Sequence, residues 1–456
     1  MFAILISAQQ QIQSWRAAHP HIRHLIVGYS GGLDSHVLLH WLATQQLAEL
    51  GCTLQALHVD HGLQAASAAW GEHCAAVCRA LQVPLRVCRV DARPAPGESP
   101  EAAARRARYA AFAADLGPDA ALLTAHHRDD QAETLLLQLL RGAGPHGLAA
   151  MPAVSRLGRG WLWRPFLDID RAALQAYAEA HALHWIEDIS NANTDFDRNY
   201  LRHRVLPLLR QRWPAAHRTL ARSARHCAET AAWLDVEAER DLRAARSDAG
   251  GLSIRVVRQL DEPRQRNLLR YWLRCLCLPV PDARQLARIL HDTLHAAADR
   301  NPCVRWPGGE VRRYRDVLYA LPPPVPHDGR QILFWRAQAD DAWPPLTVPN
   351  LGNLRLRETV GAGLRAAVLT GGVLQVLFRR GGERFHPVGR AHGQELKKLL
   401  QEAGIPPWQR ERLPLLYQED VLLVVPGLGV ASAAAAAPGE PGWELLWQPL
   451  MPRGSG

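Results

Sequence analysis

Ser30, Gly31, Gly32, Leu33, Asp34 and Ser35 form the stretch of this chain whose residue types and spacing could do the most chemistry. Paired glycines let a backbone approach an anion closely, and successive amides there form a concavity for phosphate oxygens. Ser30 and Ser35 add hydroxyl donors, and Asp34 can hold a magnesium ion. No Gly-Lys-Ser/Thr follows, and Lys397 and Lys398 are the only lysines in the chain. Without a lysine to grip a transferring γ-phosphate, the stretch suits pyrophosphate as a leaving group. The plainer alternative is a glycine turn that caps a helix. A second cluster is Ala125-His126-His127-Arg128-Asp129-Asp130-Gln131-Ala132-Glu133-Thr134. Asp130 and Glu133 are three apart, so both carboxylates share one helix face. Beside His126 and His127 they could bind magnesium, a cationic amine or a proton. Asp34 and Asp130 are the candidate metal ligands. Zinc on His126, His127 and Asp130 is disfavoured, because adjacent histidines on a strand point oppositely.

These clusters need elements that bring them to one place. Leu25-Ile26-Val27-Gly28-Tyr29 reads as a buried strand that ends in the glycine turn. A helix opens at Leu33 and continues through Val37, Leu38, Leu39 and Leu42. That layout aims backbone N–H groups and the positive end of a helix at one spot. Residues 53–59, 84–88 and 121–124 read as further strands, followed by helices over 65–81, 101–116 and 129–140. The alternation predicts an α/β fold, a parallel sheet with helices on both faces. Ligands in such sheets lie at the carboxyl ends of the strands. Residues 30–35, His58-Val59-Asp60-His61-Gly62 and residues 125–130 should therefore share one rim. Glu101, Arg105, Arg108 and Tyr109 lie on one helix at spacings of three and four, as fit for ion pairing as for substrate contact.

The chain has 456 residues, a net charge of +9 and a pI near 9.4, which points to a polyanionic partner. Residues 198–228 carry eight arginines and no Asp or Glu, with Trp213 among them as a stacking surface. A solvated helix face normally mixes signs, so a nucleic-acid surface is expected here. Eight cysteines without Cys-x-x-Cys pairing fit reduced thiols in a cytoplasmic protein better than disulfides or zinc. The apolar start at residues 1–6 lacks a basic leader and does not read as a signal peptide, and no apolar run is long enough to span a bilayer. Nothing calls for a protein partner. Ala249-Gly250-Gly251 and Pro322-Pro323-Pro324 mark breaks, and short alternating runs beyond Leu346 predict a β-rich C-terminal portion. Ala433 to Ala437, followed by Pro438-Gly439, reads as a surface loop.

The loop is similar to the PP-loop of the ATP pyrophosphatases, which adenylate a carbonyl oxygen and release pyrophosphate. Arg141-Gly142, Arg164-Pro165-Phe166, Glu187-Asp188-Ile189-Ser190-Asn191 and Arg198-Asn199-Tyr200-Leu201-Arg202 follow in order. With them and the clusters above, nearly the whole chain resembles the tRNA(Ile)-lysidine synthetase family. Arg312-Arg313-Tyr314 resembles the end of that family's substrate-binding domain, and Gly381-Gly382-Glu383-Arg384-Phe385, Leu396-Lys397-Lys398-Leu399 and Pro406-Pro407-Trp408-Gln409-Arg410 its C-terminal domain.

The resemblance implies a PP-loop (adenine nucleotide alpha hydrolase-like) catalytic domain over 1–215 and a helical linker over 216–250. A mainly helical middle domain, binding tRNA, would span 251–321, and a smaller β-rich tRNA-binding domain 346–450. It implies that ATP, with Mg2+, adenylates the wobble cytidine of a CAU-anticodon isoleucine tRNA, and that free lysine displaces AMP. ATP would meet residues 30–35, His58 and Asp60. Asp34, His126, His127, Asp130 and Glu133 would be catalytic, the two acids orienting the lysine amine and a histidine taking its proton. Arg198, Asn199, Arg202, Arg204, Arg212, Lys397 and Lys398 would bind tRNA, the last two in a basic patch with Arg379, Arg380, Arg384, Arg410 and Arg412. Glu101, Arg105 and Arg108 would face substrate. The rivals are a PP-loop tRNA thiolase, which needs reactive cysteines, and a catalytically silent RNA-binding protein.

Overall fold

The computed structural model describes residues 12–15, 17–45, 47, 51–60, 67–94, 99–248, 250–297, 300–338, 343–370 and 372–450. The readings of residues 1–6 and of His61 and Gly62 lie outside the described residues. The chain divides into two compact units, Met1–Leu234 and Asp235–Gly456.

The first unit is built on six strands: β1 (His24–Gly28), β2 (Thr53–Asp60), β3 (Leu85–Arg89), β4 (Ala120–Leu123), β5 (Val154–Leu157) and β6 (Gly160–Trp163). They lie in the order β3-β2-β1-β4-β6-β5. All pairs are parallel except β5 with β6. The longer helices are α1 (Leu33–Ala43), α2 (Ser67–Ala80), α3 (Pro100–Asp115), α4 (Arg128–Leu140) and α5 (Arg171–Ala180). Strand side chains alternate between faces. Leu25 and Val27 accordingly join one apolar cluster, with Trp41, Leu38 and Phe166. Ile26 joins another, with Leu57, Phe112, Leu122 and Leu162. Burial on both faces is what a parallel sheet requires. The order reverses between β1 and β4, so the ligand crevice of such a sheet opens between their carboxyl ends.

The β5–β6 hairpin was not expected. Its strands are four residues each, too short to show a period. It matters because β6 braces β4: Thr124 N–H donates to the Trp163 carbonyl at 3.1 Å. Gly160 allows the close approach, since a Cβ there would sit 2.6 Å from the Ala120 carbonyl oxygen.

After α5 the chain makes short helices, α6 (Asp197–Tyr200) and α7 (Leu206–Arg212), joined by a π turn, Leu201–Val205. The 30-residue α8 (Ala216–Ala245) then carries it into the second unit. There the helix α9 (Glu262–Cys275) packs Leu268, Leu269, Trp272 and Leu273 into a core shared with Val304, Val311 and Leu318. Those last residues lie on a four-stranded antiparallel sheet that accompanies the helices. The rest of the unit is β-rich, with a five-stranded and a four-stranded antiparallel sheet around Trp335, Phe378 and Phe385. In the stretch 433–437, expected as a surface loop, Ala433 and Ala437 are exposed, while Ala434 is buried and Ala435 bridges to Leu364.

Candidate active site

The glycine-rich loop leaves the sheet after Tyr29, whose N–H still donates to the Leu57 carbonyl at 2.9 Å. Gly31 has φ +83°, a region that side chains with a Cβ rarely adopt. Ser30 N–H donates to Ser35 Oγ at 3.2 Å, and Ser35 Oγ donates to the Gly32 carbonyl at 3.0 Å. The Ser30 hydroxyl, 3.0 Å from Ser35 Oγ, is then its donor. Both hydroxyls thus shape the loop. Gly32 caps α1 without a side-chain bond, so the first N–H groups of the helix remain for an anion. Asp34 lies in that first turn with Leu33 buried beside it. Its Oδ1 is buried and lacks a hydrogen-bond partner, with Arg171 Nε 3.9 Å away.

Across the crevice, β4 ends and α4 begins at the histidine pair. His127 is 1% exposed and is the N-cap of α4, and its N–H donates to Asp130 Oδ2 at 3.0 Å. Its Nε2 lies 3.6 Å from Asp34 Oδ2 and 3.5 Å from Asp130 Oδ2, and its Nδ1 3.8 Å from Asp129 Oδ2. Burial works against its charge, but Asp130, Asp34 and Asp129 together outweigh it and hold the imidazole above its ordinary range. His126 is the opposite case. Burial pushes it down to about 3, helped by the positive charges of Arg164, Arg198 and Arg105, while its Nδ1 lies 2.8 Å from Thr124 Oγ1. The carboxylates favour the cation of one histidine, while burial keeps its neighbour a neutral imidazole. Asp130 is buried, which opposes ionisation, yet His127 and Arg198 bring it down to about 2.

Glu133 is 1% exposed on the same face of α4. Arg198 Nε donates to its Oε2 at 2.9 Å, and Arg202 Nε to its Oε1 at 2.7 Å. Arg202 Nη2 also donates to Asp130 Oδ1 at 3.1 Å. Two arginines expected to grip tRNA are therefore turned onto the expected amine-binding acids. The same holds elsewhere in the arginine run. Arg210 donates to Asp129, and Arg218 donates to Asp170 at 2.6 Å beside Arg128 and His217. Arg204, Arg212, Arg222 and Arg225 are exposed, as is Trp213 at 60%. The run lacks acids of its own because half of it pairs with acids on α4 and before α5.

His58 is buried, and its Nδ1 lies 2.9 Å from the Tyr29 carbonyl oxygen. Asp60 is half-buried at the end of β2, with Arg89 Nε at 3.8 Å. Glu101, Arg105 and Arg108 are exposed on α3, and Arg105 lies 4.9 Å over the Tyr109 ring. Asn199 Nδ2 donates to the Asn193 carbonyl at 2.8 Å. Lys397 and Lys398 are exposed on the helix Leu396–Glu402 of the second unit. Arg410 leaves the expected basic patch: it is buried and donates to Tyr314 Oη at 2.7 Å and the Ile405 carbonyl at 2.6 Å. Sequence reasoning missed Asp170 as an ion-pair hub, Arg171 beside Asp34, and Cys74 and Ile186 around the loop. An arginine run with no acids to balance it was the available signal for the first. Cys74 and Cys78 are fully buried, and burial pushes their thiols up to about 12 and about 11. Among the described residues no helix is long and apolar enough to cross a membrane.

Comparison with known proteins gives three family profiles in sequence. A PP-loop domain matches residues 5–209, a TilS substrate binding domain 252–319 and a TilS substrate C-terminal domain 374–447. The tRNA(Ile)-lysidine synthase of Coxiella burnetii is 43% identical over 93% of this chain and 93% of that protein. That of Alkalilimnicola ehrlichii is 46% identical over 91% of each. Among solved structures, the U34-tRNA thiolase NcsA of Methanococcus maripaludis superposes with a TM-score of 0.39 at 15% identity, covering 45% of this chain and 72% of that one.

Proposed function

We propose a mechanism from one premise: the chain belongs to the tRNA(Ile)-lysidine synthase family. Its activity is the ATP-dependent formation of lysidine on isoleucine tRNA. The observation that carries the mechanism is the meeting of the glycine-rich loop and the carboxylate–histidine turn, with His127 Nε2 3.6 Å from Asp34 and 3.5 Å from Asp130. The N–H groups of the loop and α1 take the phosphates of ATP. The ring carbonyl oxygen of the wobble cytidine attacks the α-phosphorus, the α–β bridging P–O bond breaks, and pyrophosphate leaves. The ε-amine of free lysine then attacks the same ring carbon, the carbon–oxygen bond breaks, and AMP leaves. An anticodon base is already unpaired, so presenting it in a pocket costs little.

The amine has a reference pKa of about 10.4 and must lose a proton to attack. Of the two histidines His127 is the stronger base, because Asp130, Asp34 and Asp129 hold it above its ordinary range, and in its neutral form it takes this proton; burial pushes His126 down to about 3 and makes it a poor acceptor. Asp130 and Glu133 with Arg198 and Arg202 offer both signs of charge, which complements a zwitterionic amino acid. Asp34 fits a magnesium ion, since its buried Oδ1 lacks a partner. Asp130 fits less well, because Arg202 and the His127 N–H use its oxygens. Bound there, the ion would neutralise charge on the leaving pyrophosphate. Exposed Arg204, Arg212 and Trp213 face the tRNA, and a tRNA substrate fits work in the cytoplasm.

A thiolase would need an accessible thiolate at the loop, and the cysteines there, Cys74 and Cys78, are buried and protonated; the exposed Cys275 and Cys277 belong to the second unit. The test incubates the protein with isoleucine tRNA, ATP and lysine, then applies mass spectrometry to the anticodon nucleoside. Cytidine gaining lysine with loss of water, together with pyrophosphate and AMP, is the expected product. Unmodified cytidine with no pyrophosphate release would point to the silent RNA-binding protein instead.

A further inference from the structure

We infer that His58 is a positioning residue: through its Nδ1–H it fixes the carbonyl of Tyr29, and so the point from which the phosphate-binding loop departs. A carbonyl oxygen can only accept, so at 2.9 Å the proton of this bond lies on His58 Nδ1. The ring is 5% exposed, and Tyr29 is 1% exposed. The bond links β2 to the last residue before Ser30, just where the Tyr29 N–H has made its final sheet bond to Leu57.

The loop is held on two further sides. Cys74 Sγ of α2 lies beneath Gly31, at 3.1 Å from where a Cβ would stand, and 3.6 Å from His58 Nδ1. Ile186 N–H donates to the Gly31 carbonyl at 3.0 Å. The carbonyls of Tyr29 and Gly31 are thereby anchored. Successive N–H groups bind an anion well only when their peptide planes are fixed beforehand. A direct contact between His58 and the nucleotide would instead use Nε2, the nitrogen opposite the one tied to Tyr29. The inference rests on the reading that this loop takes ATP, and wild-type pyrophosphate release tests that reading separately.

The two nitrogens can be told apart by substitution. An Asn side chain presents its N–H near the position of Nδ1, and a Gln near that of Nε2. The experiment compares H58N, H58Q and H58A in the full-length protein, reading pyrophosphate release against ATP, lysine and tRNA concentration, with thermal melting of each variant. For H58A and H58Q, loss of one buried hydrogen bond should raise KM for ATP about tenfold, with KM for lysine and for tRNA unchanged. H58N should stay within about threefold of wild type. Rescue by Gln but not Asn would overturn the inference in favour of direct nucleotide contact. So would equal defects in all three variants, or lower melting temperatures with an unchanged KM for ATP. If H58A fails to fold, the H58N and H58Q pair still decides between the two nitrogens. No pyrophosphate from wild type would defeat the ATP reading itself, a different result from any variant pattern.

Discussion

Glu133 shows how far one side chain's role depends on its partners. On α4 alone it is a carboxylate one turn from Asp130. In the fold it is fully buried and accepts from Arg198 once and Arg202 twice. Removing one member of a buried ion cluster leaves the others uncompensated, which typically costs about 3 kcal/mol or more. We expect Glu133→Gln to lower the urea midpoint by an amount equivalent to about 3 kcal/mol, besides weakening lysine-dependent turnover. A midpoint equal to wild type would show that the cluster does not hold the Arg198–Arg202 turn in place. The pairing partners are 65 and 69 residues apart in sequence, so local spacing could announce the acids but not the guanidinium groups that occupy them.

At the scale of elements, α1 serves both faces of its position. Its N-terminus addresses the anion, while its middle packs His36 against the interior. Burial pushes His36 down to about 4, with the charges of His73 and His40 adding to the effect and a hydrogen bond to the His184 backbone opposing it. An unfolded histidine takes its proton near pH 6.5. As pH falls from about 6.5 to about 4, the unfolded chain binds the proton that the folded chain refuses, so stability declines. Below that window this contribution is level. His127 acts in the other direction: its raised value means its contribution is complete below about 6.5 and is lost as pH rises through the folded value. Urea unfolding at pH 7, 5.5 and 4 should show the acid decline, and His36→Phe should flatten it. A variant with the same slope as wild type would place the acid sensitivity elsewhere.

For the whole molecule, the excess of arginine divides into internal and external shares. Arg198, Arg202, Arg210 and Arg218 are spent on acids of the first unit, while Arg204 and Arg212 face solvent. Neutralising Arg204 and Arg212 together should reduce the slope of log tRNA affinity against log salt by about one to two. Arg210→Gln should lower stability and leave that slope alone. An unchanged slope in the double variant would remove this face from the tRNA footprint. The same division explains what could be read beforehand. The loop, the histidine–carboxylate turn and their parallel sheet were legible because strand, glycine turn and helix follow one another within a dozen residues. The four-residue hairpin β5–β6 gave no period to read. Ala433 to Ala437 read as a surface loop, and Ala433 and Ala437 are exposed, but five identical side chains gave no sign that Ala434 alone is buried. Arg410 read as surface charge, but a long side chain can bury itself when a tyrosine hydroxyl and a carbonyl receive its N–H groups.

Both ammonium-bearing side chains of the chain, Lys397 and Lys398, stand exposed on one short helix. Acylating reagents that modify primary amines therefore perform, in one step, a nearly site-directed neutralisation there, because guanidinium groups resist them. Acetylated protein that still captures tRNA at full strength would acquit that helix, while the arginine face goes through the treatment unaltered.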